Sequence, residues 1–469
     1  MPTNKKKWYE YIPHPLVMLF GIIVLATAMS YLLPAGSFDR QLVDGRQRVI
    51  PGTFKYLPQS PLSFLDMFVA FAKGFKTASD IIWIVLTSGI MFGILQKSQM
   101  IEHAVGTIVK QLGLKRKYML VVLMTFVFGM LGVGVGYENN IALVPIGAIL
   151  AMAIGGDLIL AVGISVAAIT IGFGLSPINP YTIGTGHKIA ELPMFSGALL
   201  RSILCFSALA MLAYYNVRYF KKIEADPAKS LGIGLDTEGF TLSKKLEDYS
   251  MSVNNWLVAL VFLGGMAVML FGIFNYHWYL QEISAMFIIM ALGSGIVARL
   301  SPKEISETTL HAVSVVAPGA FMVGIATTIK VILEMGTISD TIAYHLSEVL
   351  LSMPIYASAV IMSLSQCIMN LMIPSGSGQA LATLPVMIPI GDIVGLNRQV
   401  TILAFQIGDG VTNLVNPTLG GLIAMLSMAR VPFDRWLRFI APFMLTILLV
   451  SLVPSGFGKV LKVTPCSVR

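Results

Sequence analysis

A chain of 469 residues with 56% hydrophobic and only 12% charged residues, at a mean hydropathy of +0.79, carries more apolar surface than a water-soluble domain of this size can bury. It reads as a polytopic membrane protein. The net charge of +8 comes from short basic segments between apolar runs, so it reports orientation in a membrane and argues against a nucleic-acid partner.

In chain order, Lys5, Lys6 and Lys7 precede an apolar run at 15–33. That run is long enough to span, and no small-residue cleavage site follows it, so a retained first helix is expected. Residues 60–79 and 99–112 mix Phe, Leu and Val with Asp66, Lys73, Lys76, Glu102 and Lys110, as in amphipathic helices at the membrane surface or the arms of a scaffold. Runs at 80–96, 158–180, 196–216, 254–273, 279–298, 311–335, 399–428 and 435–453 bring the expected crossings to nine. Two further stretches, about 118–154 and 356–390, hold a glycine-rich turn at their middle and read as helical hairpins that enter and return. With the N-terminus cytoplasmic, Lys110, Lys115, Arg116, Lys117, Arg218, Lys221, Lys222, Lys244, Lys245, Arg299, Lys303, Arg430, Arg435 and Arg438 fall on the inner side. The polar stretch 217–253 reads as a cytoplasmic linker between an N-terminal half, 1–216, and a C-terminal half, 254–469. Trp8, Trp256, Trp278 and Trp436 lie near expected span ends, where such rings favour the headgroup layer. Cys205, Cys367 and Cys466 have no paired spacing and support neither a disulfide framework nor a zinc site.

Two segments about 240 positions apart repeat one pattern of small and polar residues. Gly136-Tyr137-Glu138-Asn139-Asn140, continuing to Pro145, matches Gly376-Ser377-Gly378-Gln379-Ala380, continuing to Pro385. Each is followed by an Asn-Pro pair inside an apolar run, at Asn179-Pro180 and Asn416-Pro417. The run at 254–273 matches 15–33 and 311–335 matches 80–96, while the extra crossing at 279–298 turns the second half over. The expected fold is an all-α polytopic membrane protein with inverted repeats, two re-entrant hairpins and two broken helices, at about 158–190 and 399–428. That is the architecture of a secondary transporter with its site near the membrane midplane.

Proline removes a backbone donor and opens its helix, and lipid cannot satisfy the carbonyls so freed. Ser176, Asn179, Thr182, Thr412, Asn413, Asn416 and Thr418 place side-chain oxygens beside those carbonyls. Ser176, Asn179, Thr412, Asn413 and Asn416 are the candidate ligands of a sodium ion, and the bland alternative is a structural proline kink. At the tips, Gly134, Gly136, Gly376 and Gly378 permit close backbone approach, and Asn139, Asn140, Ser375, Ser377 and Gln379 supply hydrogen-bonding groups. A helix beginning after such a turn favours a carboxylate, which makes Ser377 and Gln379 candidates for anion contact. Glu138 and Asp409 are ionisable residues at membrane depth, suited to bind an ammonium or guanidinium, to ligate sodium or to carry a proton. Their bland alternative is a buried acid hydrogen-bonded to backbone. Lys330 and Glu334 read as an intrahelical ion pair, and His187 and Lys188 as loop residues. The six histidines form no metal or nucleophile grouping, so neither an enzyme nor a cofactor is expected beyond a coupling sodium ion or proton.

The stretch from Pro374-Ser375-Gly376-Ser377-Gly378-Gln379-Ala380 through Leu384-Pro385, Gly391-Asp392, Gly395 to Thr401 and Ala404-Phe405-Gln406-Ile407-Gly408-Asp409-Gly410 resembles the YfcC family. This family stands in the anaerobic dicarboxylate carrier group of the ion transporter superfamily. Glu138 to Pro145 and Asn179-Pro180 also fit, so the resemblance covers nearly the whole chain apart from the linker. It implies a bacterial inner-membrane antiporter of basic amino acids such as arginine and ornithine, with relatives that carry four-carbon dicarboxylates, and a homodimer joined through a scaffold domain. The family's first tip carries two adjacent acids where this chain has Glu138-Asn139. The expected function is secondary active transport of amino acids, basic ones foremost. The alternative on the same fold is a sodium- or proton-coupled carrier of small carboxylates or four-carbon dicarboxylates.

Overall fold

The computed structural model describes residues 15–43, 46–50, 52–276, 278, 280–351 and 355–456. Lys5, Lys6, Lys7, Trp8 and Cys466 lie outside the described residues. Apolar runs with no water to hydrogen-bond their backbone become helices, which satisfy those groups within the segment.

The first half opens with α1 (Pro15–Leu32), four short strands β1 to β4 (Gly36–Ser37, Arg40–Val43, Arg46–Val49 and Lys55–Tyr56), α2 (Phe64–Thr77), α3 (Ser79–Lys97) and α4 (Met100–Leu112). α5 (Lys117–Val135) and α6 (Val144–Ala153) make the first hairpin, joined through a tight 3-10 turn at Glu138–Leu143. α7 (Leu158–Val162) runs through a π-helical turn into α8 (Ala168–Gly174), and after a break come α9 (Thr185–Ile189) and α10 (Ala198–Ala225). The second half holds α11 (Val253–Tyr276), α12 (Leu280–Val297), α13 (Pro302–Met335), α14 (Ser339–Leu351), the hairpin of α15 (Ile355–Met372) and α16 (Gly376–Val394), the broken pair α17 (Arg398–Thr412) and α18 (Gly420–Met428), and α19 (Phe433–Gly456). Among the described residues eight helices are long and apolar enough to cross a membrane, one arm of each hairpin included.

Two connections differ from the expected picture. Residues 36–56 form two antiparallel two-stranded sheets, β1 with β4 and β2 with β3, so the chain is not helical throughout. Arg40 pins this unit to α14 through an ion pair with Asp340 at 2.7 Å, and Phe54 stacks on Tyr344 at 4.2 Å. Phe38 and Val49 pack there with Val386, Met387 and Ile390 of the second hairpin. The other difference lies at 217–253. α10 continues to Ala225, with Arg218, Lys221 and Lys222 inside the helix, so the linker proper is 226–252. It is strapped to both halves. Arg430 pairs with Asp236 at 2.6 Å, Arg435 donates to the Leu231 carbonyl at 3.0 Å, and Lys110 donates to the Glu247 carbonyl at 2.6 Å. Ser243 and Tyr249 donate to Glu102; burial pushes that carboxyl up, but these hydrogen bonds prevail and hold it below the usual range.

The order of elements from α2 to α10 recurs from α13 to α19. Residues 64–97, interrupted at Ala78, match the 34 residues of α13, and each opens on a serine capping box, Ser63 with Asp66 and Ser301 with Glu304. α4 and α14 each have 13 residues. The two long elements pack antiparallel, with Gly74 against Thr328, Gly89 against Val316 and Gly93 against Ala312. The two broken helices cross at Gly174 and Gly410, where a Cβ on either would lie 2.5 Å from the Cα of the other. Only glycine permits that approach.

A methyl at this crossing has backbone, not a movable side chain, in its way. Gly410→Ala is therefore expected to destabilise the purified protein by about 1–3 kcal/mol in thermal unfolding. Gly264→Ala, whose methyl would meet nothing within 4 Å, is the silent control. An unchanged melting temperature for Gly410→Ala would contradict a tight crossing.

Candidate functional site

Residues 175–179 and 413–419 leave the helix, and in both the asparagine before proline accepts backbone N–H groups, Asn179 as the cap of the π-helical turn Pro180–Gly184 and Asn416 within the loop ahead of α18. Asn179 Oδ1 accepts from the N–H groups of Tyr181 at 2.9 Å and Thr182 at 3.3 Å, and Asn416 Oδ1 accepts from that of Thr418 at 2.9 Å. The amide nitrogens tie back, Asn179 Nδ2 to the Phe173 carbonyl at 3.2 Å and Asn416 Nδ2 to the Asn370 carbonyl at 2.9 Å. Ser176 and Thr418 donate to the Val133 and Leu371 carbonyls, at 3.3 and 3.0 Å, at the ends of α5 and α15.

The break carbonyls receive donors from elsewhere. Trp436 Nε1 donates to the Leu414 carbonyl at 2.8 Å. The Ser176 carbonyl accepts from Gln406 Nε2 at 2.8 Å, and Arg201 Nε donates to Gln406 Oε1 at 3.0 Å. Arg201 and Trp436 are the fourth residues of α10 and α19. Trp436 is 0% exposed, so its expected place in the headgroup layer is wrong; Trp256, 61% exposed, suits that layer. Arg201 was not a candidate, yet it is a buried guanidinium with no carboxylate partner among the described residues, held also by Ser196 and Gln399. His187 is not a loop residue either. It is buried in α9 and accepts from the Phe195 N–H at 3.0 Å.

At the first tip Gly136 adopts φ 107, and Asn140 Nδ2 donates to its carbonyl, with Asn139 buried beside it. At the second, Ser375 caps α16: its Oγ accepts from the Gly378 N–H at 3.4 Å and its carbonyl from the Gln379 N–H at 2.7 Å. Gln379 Nε2 donates to the backbone and side-chain oxygens of Gln366, at 2.9 and 2.8 Å. Asn140 and Gln379 therefore hold their turns together. Ser377 is half-buried and Ser375 exposed.

Each tip abuts the other half just past its break. Gly421 lies against Tyr137 and Glu138, and Gly376 against Thr182 and Asp409. Each cluster thus has one carboxylate, supplied by the tip in the first and by α17 in the second. Glu138 is half-buried; Asp409 is 1% exposed, with Oδ2 3.2 Å from where a Cβ at 376 would stand. Asn370, missed in the sequence, organises the second cluster by donating to the Asp409 carbonyl, Thr412 Oγ1 and Asn413 Oδ1 at 2.8 to 2.9 Å. The signal was an asparagine in the last turn of an arm that also carries Ser358, Ser363, Ser365 and Gln366. Around this tip four buried oxygens have no hydrogen-bond partner: Asp409 Oδ1, Thr182 Oγ1, Asn370 Oδ1 and Gln379 Oε1. Such a set is suited to a cation or a hydrogen-bond donor.

The five expected sodium ligands form two groups. Ser176 and Asn179 serve the first break, while Thr412, Asn413 and Asn416 join through Asn370 at the second. Among the described residues no three His, Cys, Asp or Glu side chains gather as a metal site. Lys330 and Glu334 make the expected pair, at 3.6 Å.

A family model described as DcuC, C4-dicarboxylate anaerobic carrier, matches residues 12–454. The chain is 29% identical over 483 aligned positions to the Escherichia coli (strain K12) protein named "Putative basic amino acid antiporter YfcC", covering 94% of this chain and 95% of that one. It is 25% identical to a Haemophilus influenzae (strain ATCC 51907 / DSM 11121 / KW20 / Rd) protein named "Uncharacterized protein", covering 96% and 97%. Among solved structures, Neisseria gonorrhoeae MtrF, of a class of antimetabolite efflux pumps, aligns at a TM-score of 0.45 and 17% identity, covering 97% of each chain. The Alcanivorax borkumensis YdaH transporter aligns at 0.43 and 14%, covering 97% and 100%.

Trp436→Phe keeps the ring but leaves the Leu414 carbonyl without its donor, and is expected to cost about 1–3 kcal/mol in thermal unfolding. Trp256→Phe should change nothing. Equal melting temperatures for the two variants would show that the indole N–H does not support the break.

Proposed function

The chain is a membrane transporter that belongs to the C4-dicarboxylate anaerobic carrier family, and we propose that it exchanges basic amino acids of the arginine and ornithine type across the cytoplasmic membrane by alternating access. One observation carries this reading: four unpartnered buried oxygens, Asp409 among them, gather at the second tip. A buried carboxylate is costly unless a positive charge joins it, and a guanidinium or ammonium does so while satisfying the neighbouring oxygens. The α-carboxylate of the same substrate has the start of α16 to bind, where Ser375 caps the helix and Ser377 lies in its first turn. Glu138 at the first tip offers the second acidic station. The printed name of the Escherichia coli relative points to the same class of cargo.

A second reading has its own support. Arg201 is a buried positive charge, and through Gln406 it reaches the helix that carries Asp409 one turn further on. A dicarboxylate carrier needs such a charge, and the family description names four-carbon dicarboxylates. In that case Asp409 would hold the coupling sodium ion or proton.

Melting of the purified protein with candidate substrates separates the two, since a ligand at 100 times its Kd adds about 2.7 kcal/mol of stability. Arginine, ornithine and lysine are expected to stabilise the protein, and Asp409→Asn to weaken that effect at least tenfold in ligand concentration. Stabilisation by succinate or malate alone, dependent on sodium, would overturn the first reading in favour of the second.

A further inference from the structure

α5 and α10 pack antiparallel: Gly129 sits on Leu209, Asn216 donates to Thr125 at 3.1 Å, and Lys117 pairs with Glu224. The start of α5 and the end of α10 therefore meet at one edge of the membrane-spanning bundle. Six cations gather there, Lys115, Arg116 and Lys117 from one helix end and Arg218, Lys221 and Lys222 from the other, against the carboxylate of Glu224, while Asp226 just past α10 is taken up by Lys229. All but Lys117 are exposed.

Positive residues at the ends of spans serve orientation, so a basic end alone is unremarked. This one differs in charge balance from the basic positions Lys303, Arg430, Arg435 and Arg438. Arg430 is paired with Asp236, Lys303 with Glu307, and Arg435 and Arg438 approach Asp434. Lys115, Arg116, Arg218, Lys221 and Lys222 have no carboxylate partner among the described residues. An aromatic pair lies beneath two of the six, the unpaired Lys221 and the paired Lys117. The Lys221 ammonium lies 5.1 Å from the Tyr118 ring centroid and that of Lys117 5.5 Å from Phe220, and the two rings meet edge to face at 5.6 Å. From this platform into the bilayer, α5 exposes Met119, Val122 and Leu123, and α10 exposes Tyr214.

We propose that this edge is a binding site for an anionic phospholipid, its phosphate among the unpaired cations and an acyl chain along the exposed apolar side chains. Five like charges in one place repel one another, and a counter-anion relieves that repulsion. A lipid phosphate is held at the matching depth, and basic clusters at the ends of spanning helices attract such headgroups. A free phosphate shares the charge but gains nothing from the apolar track.

Native mass spectrometry of the full chain, titrated with phosphatidylglycerol, cardiolipin or phosphatidylcholine, tests the site, with inorganic phosphate as competitor. Anionic lipid adducts are expected to persist where phosphatidylcholine is lost, and inorganic phosphate should not displace them. Affinity should fall roughly fivefold for each cation removed. Arg218→Gln combined with Lys221→Gln tests two cations, and Lys222→Gln serves if the double variant does not fold. Lys303→Gln should leave the adducts unchanged. Equal retention of phosphatidylcholine, displacement by inorganic phosphate, or undiminished adducts in the folded variants would each overturn the proposal.

Discussion

A backbone that opens inside a membrane must be satisfied by protein, because lipid offers no hydrogen bonds. The structure around the two Asn-Pro breaks follows from that constraint. Asn179 caps the π-helical turn that restarts the first broken helix, Asn416 closes a turn inside the second break, Ser176 and Thr418 bind the carbonyls at the ends of the hairpin arms, and Gln406 and Trp436 reach the break carbonyls themselves. Most of the polar side chains at membrane depth are thereby committed to backbone. Among the buried polar atoms left without a partner are four oxygens around Asp409 and the second tip, on which the proposed cargo site rests.

The two halves solve the problem alike in backbone and differently in side chain. The fourth residue of the helix after each break supports a break carbonyl, directly as Trp436 and through Gln406 as Arg201. Each tip meets the opposite half just past the break, yet the acid sits on the tip in one case and on the helix in the other. The glycine crossing at Gly174 and Gly410 brings the breaks together.

The helical membrane fold was legible from the long apolar runs, and the interruptions in them from local signals, a glycine-rich turn or an Asn-Pro pair within a few residues. Glu138 and Asp409 were legible as rare charges at membrane depth. Trp436, Arg201 and Asn370 were not, because their roles depend on partners brought near by the fold. Arg201 and Gln406 stand 205 positions apart, and a tryptophan near a span end looks the same whether it faces headgroups or a break carbonyl. Asn140, Asn179 and Gln379 stand out in the sequence as polar residues in apolar runs, and the bonds they make here go to turns, a cap and the neighbouring arm. The small sheets of 36–56 escaped notice because strands of two to four residues carry too little alternation to read.

Counterflow in proteoliposomes tests the central claim most directly. Labelled arginine is offered outside vesicles preloaded with unlabelled ornithine. The account predicts rapid, saturable uptake that depends on the internal amino acid and is lost in Asp409→Asn. Uptake of labelled succinate driven by sodium, with no arginine counterflow, would contradict it.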